Sequence, residues 1–345
     1  MYAADERRLV GGAGTCHYPV DDWLAGCAMS RIETMTPDPG AAMQEPGDGR
    51  RQLDVVVRTL AQESRQRELL RALDSIQGQA SFAARPILVV NGNRYHPPLL
   101  EELRQRRGVL FHYLPEASAG RALAVGRELV TAPYFMFLDD DDELLGPGLE
   151  RLAEHMSHDP DWDVIVTNGY GCSNGEMRPW VPDLMAHAIH PVRSLMAECW
   201  LSPGAAIFRS EAVSSAFLDV KRDYHEWTYI AFLLIMDGKR VRFLDVPTVT
   251  YYDTQHSASK SFAYEEAALE LLDTMKAEPR LDGETLAIME KKYRNTLHTL
   301  AFRYWRRGAR RKAWRYHMRS MRPPFTMKYL LFSRKLLLPT RSGPC

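Results

Sequence analysis

YFMFLDDDDELLGPGL, residues 134–149, passes from an apolar, aromatic run directly into four consecutive aspartates and then a turn rich in glycine and proline. The apolar run has the length and composition of a buried strand. Its carboxyl end is where open α/β sheets bind ligands. Four like charges on one short segment repel one another unless a cation or a hydrogen-bond network compensates them. Carboxylate oxygens suit Mg²⁺ or Mn²⁺, and Mg²⁺ typically takes one or two carboxylates together with substrate phosphates. Two readings follow: a metal-diphosphate site, or a solvated turn that caps the next helix.

Upstream of this run, short β-rich stretches alternate with helical ones. LDVVVRTL (53–60), PILVVNGN (86–93) and VLFHYL (109–114) read as strands. Glu63 to Gln77, Leu99 to Arg107 and Ala119 to Val130 have apolar residues at helical spacing. Downstream, 149–157 reads as a helix, DVIVTNGY (163–170) as a strand, 171–203 as loop, AAIFRS (205–210) as a strand and 226–236 as a helix. VRFL and TVTYY are two further strands, and the chain is helical after Ser261. Alternation of this kind predicts an α/β fold, a mostly parallel sheet with helices on both faces. Residues 1–51, with a linker-like composition from Thr36 to Arg51, are expected to form a poorly ordered arm; 52–262 form the α/β domain and 263–345 a basic helical region.

The chain has 345 residues and a formal net charge of zero, but the charge is unevenly placed. No Asp or Glu follows Glu290, and the 16 Lys and Arg beyond it leave the preceding body at −16. Such a tail suits a phosphate-rich surface or the acidic body itself; the alternative is a solvated basic cap packed by its apolar stripe. Within it, Leu297, Ala301, Tyr304, Trp305, Gly308, Ala313, Tyr316, His317, Met321 and Pro323 resemble half of a tetratricopeptide hairpin, too little for a solenoid. Five widely spaced cysteines without a paired metal-ligand pattern point to free thiols and a reducing compartment. The start lacks the apolar segment of a secretory signal, and no apolar stretch reaches the roughly 18 residues of a membrane span. On these features the chain is expected to be cytoplasmic.

VVVRTLAQESRQRELLRALDSIQGQ, ILVVNGN, GRALAVGRELVTAPYFMFLDDDDELL and DYHEWTYIAFLLIMDGKRVRFLDVPTVTYY, in this order, resemble the motifs of family 2 glycosyltransferases across about residues 53–261. The resemblance implies a Rossmann-like GT-A fold, extended here by C-terminal helices. It also implies inverting transfer of a sugar from a nucleoside-diphosphate sugar to an acceptor hydroxyl, on a cell-surface or lipid-linked glycan. Asp139 and Asp141 match the outer residues of the family's Asp-x-Asp motif and are expected to hold a divalent metal, Mn²⁺ or Mg²⁺, with Asp139 also reaching the ribose and Asp140 shaping the donor site. Thr59 and Arg58, at the end of the first strand, are expected to contact the donor, although family members commonly have proline at position 58. Asn91 stands where many members place a base-pairing aspartate; its amide can both donate and accept, and it is equally a turn former in Asn-Gly. The family's Arg-Asn pair before Gly126 is here Leu123 and Ala124, leaving Arg121 to serve the donor or to lie solvated on its helix.

Lys260 is expected to close over the diphosphate, and His256 to be a third metal ligand or a loop residue. Glu226 is the candidate general base, with Asp223 in reserve, each also able simply to complement a helix dipole. Trp180, Trp200, Ser202 and Pro203 fall where relatives form the acceptor wall. No nucleic-acid partner is expected. KYLLFSRKLLL (328–338), mixing cations with leucines, suggests peripheral membrane association. Two rivals remain. A nucleotidyltransferase would carry a Gly-rich, Lys-containing loop, which RTLAQESRQ is not, and a non-catalytic relative fits the lost Arg-Asn pair but not the retained acids.

Overall fold

In a computed structural model, which describes residues 49–173, 175–222, 224–252, 261–321 and 327–337 (the Lys328 side chain excepted), the strands assemble into a single nine-stranded sheet. The elements run β1 (Arg51–Thr59), α1 (Gln66–Gln77), β2 (Phe82–Asn91), α2 (Pro97–Gln105), β3 (Leu110–Leu114), α3 (Ala119–Glu128), β4 (Tyr134–Asp139), β5 (Glu143–Leu144) and α4 (Gly146–His158). They continue with β6 (Val164–Ser173), β7 (Glu176–Pro179), α5 (Pro191–Ser194), β8 (Ala206–Arg209), α6 (Glu226–Met236) and β9 (Val241–Tyr252). Helices α7 (Phe262–Lys276), α8 (Gly283–Arg306), α9 (Arg310–Ser320) and α10 (Met327–Leu337) complete the described chain. The arm up to residue 48 lies outside the described residues.

The strand order is β3-β2-β1-β4-β8-β6-β9-β5, with β7 paired to β6. The first four strands are mutually parallel. Strand β8 then enters antiparallel between β4 and β6, and β6 and β9 are parallel again. The carboxyl ends of β1, β4, β6 and β9 therefore share one edge of the sheet. The two runs VRFL and TVTYY form one strand rather than two. Proline lacks the N–H that a ladder needs, and the register slips beside Pro247 to accommodate it. Part of the stretch read as loop is also ordered as strand, because β6 continues to Ser173 and turns back as β7.

The central strands carry continuous apolar runs, Val55–Val57 in β1 and Phe135–Leu138 in β4, because both faces are covered. Val55 and Val57 pack with Leu69, Leu73 and Ile76 of α1, whereas Val56 faces α3 among Ala122 and Leu123. Gly126 is required by that second contact: a Cβ there would lie 2.3 Å from Val56 Cγ1. The same core runs on through Ile230 and Phe232 of α6 into Leu272, Met289, Leu297 and Phe332, so the C-terminal helices cap the sheet's α6 side.

One buried charge fixes the entry to β4. Asp54, 1% exposed, accepts from Arg85 Nε at 2.8 Å and Nη2 at 2.9 Å, and from the backbone N–H groups of Thr131 and Ala132 at 2.8 and 3.0 Å. Removing one partner of such a pair leaves an uncompensated buried charge. Asp54→Ala is therefore expected to lower the unfolding free energy by about 3–5 kcal/mol, measured by urea denaturation, with Asp54→Asn losing less.

Candidate active site

Parallel pairing of β1 with β4 sets Arg58 opposite Asp139. The guanidinium lies 3.6 Å from Asp139 Oδ1 through Nε, and its Nη1 donates to Glu226 Oε1 at 3.2 Å. One residue on, Thr59 Oγ1 donates to Asp140 Oδ2 at 2.6 Å and accepts from Ala61 N–H at 2.9 Å, so the chain turns sharply behind it. Arg65 Nη2 reaches both Asp140 Oδ1 and Asp141 Oδ2, each at 2.7 Å. Arg71 donates to the Asp141 backbone oxygen at 2.6 Å and stacks over Tyr252 at 3.8 Å. Tyr252 N–H, at the end of β9, donates to Asp142 Oδ1 at 3.2 Å. The four aspartates are thus a braced turn rather than a solvated one.

Glu226 is the first residue of α6 and is buried, with a side chain 10% exposed. The residue before it, His225, is in the left-handed region at φ 60°, ψ 26°, a conformation uncommon for a side chain of that size. Its ring lies 3.9 Å from that of Tyr264, and its Nε2 is 2.9 Å from the Tyr264 carbonyl oxygen. Helix α7 thereby holds the start of α6, and with it the Glu226 backbone.

Burial and mutual repulsion raise the proton affinity of the acids. Burial first, then the charges on Asp139 and Asp141, push the Asp142 carboxyl up to about 9, so it holds its proton at neutral pH. Burial pushes Asp140 up to about 6 against the opposing pull of Arg65 and Thr59. Asp141 is raised by burial too, with Arg65 opposing. For Arg58, burial disfavours the charge, but Asp139 and Glu226 together outweigh it and raise the pKa. Asp139 is the open member of the set: its side chain is 37% exposed, against 13% for Asp140 and 16% for Asp141.

The structure therefore brings together Arg58, Thr59, Asp139, Asp140, Asp141 and Glu226. Arg121 lies elsewhere, on the exposed side of α3, where it pairs with Glu128 at 3.1 Å. Asn91 uses its Oδ1 to accept from Ser118 N–H at 2.9 Å, bracing the turn that leads into α3. Asp223, His256 and Lys260 lie outside the described residues. Trp200 is core, 1% exposed with its indole N–H donating to Pro191 O, whereas Trp180 is 45% exposed with its ring 4.5 Å from that of Tyr251, next to the acidic edge. Sequence reading missed Arg65, Arg71 and Tyr252. Their only signal was a charge imbalance, since four adjacent acids need cations and the Arg-rich segment 65–71 was the nearest supply.

Among the described residues, no group of three or more His, Cys, Asp or Glu converges on a metal site. The donor set nevertheless fits a hard cation, because two carboxylates suffice when phosphate oxygens complete the shell. Burial is the main cause of the raised proton affinity of Asp141 and Asp142, and a divalent charge beside Asp139 and Asp141 would offset the repulsion that adds to it.

Residues 56–214 match the family model described as Glycosyl transferase family 2. Among solved structures, S. aureus TarS 1–349 in complex with UDP-GlcNAc is similar to this chain with a TM-score of 0.50 and 18% identity, over 72% of each chain. A second structure of TarS 1–349 gives 0.48 and 17%, over 72% of this chain and 71% of that one. At 18% identity the first of these likenesses speaks for the fold alone. No curated protein matches the sequence.

Among the described residues, Arg58 alone bridges Asp139 and Glu226, and its loss leaves these acids without a shared cation. Arg58→Ala is expected to cost about 2–3 kcal/mol of stability, less than a fully buried pair because Asp139 is partly solvated. Glu226→Gln in that background should restore part of it, a coupling that a double-mutant cycle in urea will show.

Proposed function

We propose that this chain, whose residues 56–214 match the family 2 glycosyltransferase model, transfers a sugar from a nucleoside-diphosphate sugar to a glycan hydroxyl with inversion, Glu226 being the base. The observation behind this reading is the bridge Asp139–Arg58–Glu226, which places a candidate base and the outermost acid of the aspartate run on one guanidinium. The acceptor oxygen attacks the anomeric carbon from the face opposite the diphosphate. Its proton passes to a Glu226 oxygen as the C–O bond to the departing phosphate breaks, and the electron pair leaves with the nucleoside diphosphate.

Asp139 and Asp141 would hold the divalent ion, Mn²⁺ or Mg²⁺, which neutralises charge on the leaving diphosphate when bound. Arg58 orients Glu226, and Thr59 holds Asp140 in place. Arg65, already on Asp140 and Asp141, stands ready to exchange a carboxylate for a phosphate oxygen once a cation takes its place on the acids. On this reading Trp180 offers a face on which an acceptor sugar ring can stack. The acceptor class we infer is a cell-surface or lipid-linked glycan, with the catalytic domain in the cytoplasm, consistent with the free thiols of Cys172 and Cys199.

The test is release of nucleoside diphosphate from a panel of nucleotide sugars with Mn²⁺, beginning with UDP-GlcNAc, the ligand of the TarS complex. At least one donor should turn over, Asp141→Ala should abolish release, and Glu226→Gln should lower kcat about 10²–10⁴-fold while nucleotide affinity is kept. No turnover with any donor, or unchanged turnover in Asp141→Ala, would sink the catalytic reading.

A further inference from the structure

Helix α10 has two apolar stripes, and only one of them is used by the fold. Tyr329, Phe332 and Leu336, spaced three and four apart, are buried against α8 and α9. Phe332 packs 6.1 Å from the Phe302 ring and 5.5 Å from the His317 ring, and Tyr329 OH donates to Asn295 Oδ1 at 2.5 Å. The stripe on the other side consists of Met327, Leu330, Leu331 and Leu337, exposed by 67, 42, 54 and 71%. Arg334 and Lys335, both exposed, lie between these leucines. An ordinary cap helix that buries one stripe shows a polar face to water; this one shows leucine and cation.

Two neighbouring features have the same character. Helix α9 exposes Arg311, Arg315 and Met318 at spacings of four and three, hence along one line of the helix. Between α8 and α10 runs a groove of about 540 Å³, lined by His298, Thr299, Phe302, Leu331, Phe332 and Lys335. Its walls are mostly apolar, with a lysine among them. No acid occurs after Glu290, so α9 and α10 carry none of their own; Glu266 of α7 faces Lys312 and Arg315 of α9.

We propose that the outer face of α10 is a docking surface for an anionic phospholipid bilayer. Leucine side chains on a basic helix enter the boundary between headgroups and acyl chains, while Arg and Lys stay at the phosphates. Attachment is peripheral, because no helix among the described residues is long and apolar enough to cross a membrane. The charge decides among occupants. A second copy of the chain would set like charges against one another, and a nucleic acid would leave the leucines without an apolar partner. The inference does not depend on the transferase reading, since it concerns helices outside the acidic cleft, and the two can fail separately.

The full chain should be tested by flotation with vesicles of pure phosphatidylcholine and with vesicles containing phosphatidylglycerol. It should bind only the second kind, and salt should weaken the binding. Arg334→Gln with Lys335→Gln should weaken it roughly 25-fold, at about fivefold for each cation. Leu330→Ser with Leu331→Ser, which leaves the charge and the buried stripe intact, should weaken it by about tenfold or more. Circular dichroism and nucleotide binding should be unchanged in both variants. The proposal is overturned by equal binding to both kinds of vesicle, by no binding, or by a serine variant that binds like the parent. Retention on duplex DNA or RNA in preference to vesicles, or self-association lost with the same leucines, would likewise overturn it.

Discussion

Four carboxylates on one turn would push each other apart, and the architecture around the cleft answers that repulsion. Arg58 comes from the end of β1, Arg65 from the turn before α1, Arg71 from α1 itself, and the Tyr252 N–H from the last strand. Each belongs to a different element, so the aspartate turn is where these parts of the chain are tied together. Strand β1 lies beside β4 in the sheet, and β9 reaches the same edge because β8 inserts antiparallel and restores the direction of β6 and β9. The sheet order is thus part of the site.

The compensation is incomplete, and that is what makes the turn chemically interesting. Among the described residues, Arg58 and Arg65 are the two cations paired with the four carboxylates of Asp139, Asp140, Asp141 and Glu226. Burial first, and then the charges on Asp139 and Asp141, push the Asp142 carboxyl up to about 9. The most solvated acid, Asp139, shares its arginine with Glu226. A cleft in this electrostatic state favours an incoming cation, and a cation with two carboxylates has coordination positions left for phosphates. The same bridge sets the position of Glu226, which the left-handed His225 and its contact with Tyr264 fix from behind.

Much of this was legible in the chain. The apolar runs of β1, β2 and β4 could be read because both faces are buried, and the aspartates could be placed because they end such a run. Gly126 was legible as a motif position, and its cause is the approach of α3 to Val56. What could not be read is pairing across long separations. Arg65 meets Asp140 across 75 residues and Arg58 meets Glu226 across 168, and neither spacing leaves a periodic trace. The insertion of β8 was hidden for the same reason, since alternation of strands and helices does not encode sheet order. In α10 the basic, leucine-rich composition admitted both a packed cap and an outward-facing helix. The coordinates give one stripe to each, which a linear pattern of eleven residues does not separate.

On the proposed function, the acidic turn is a cation-dependent diphosphate site. Calorimetric titration of UDP into the protein, with Mn²⁺ and then with the ion chelated, tests this without requiring the acceptor. Binding should require the ion in the parent protein and should be lost in Asp139→Asn with Asp141→Asn. Equal affinity with and without Mn²⁺, or binding unchanged in the double variant, would contradict it.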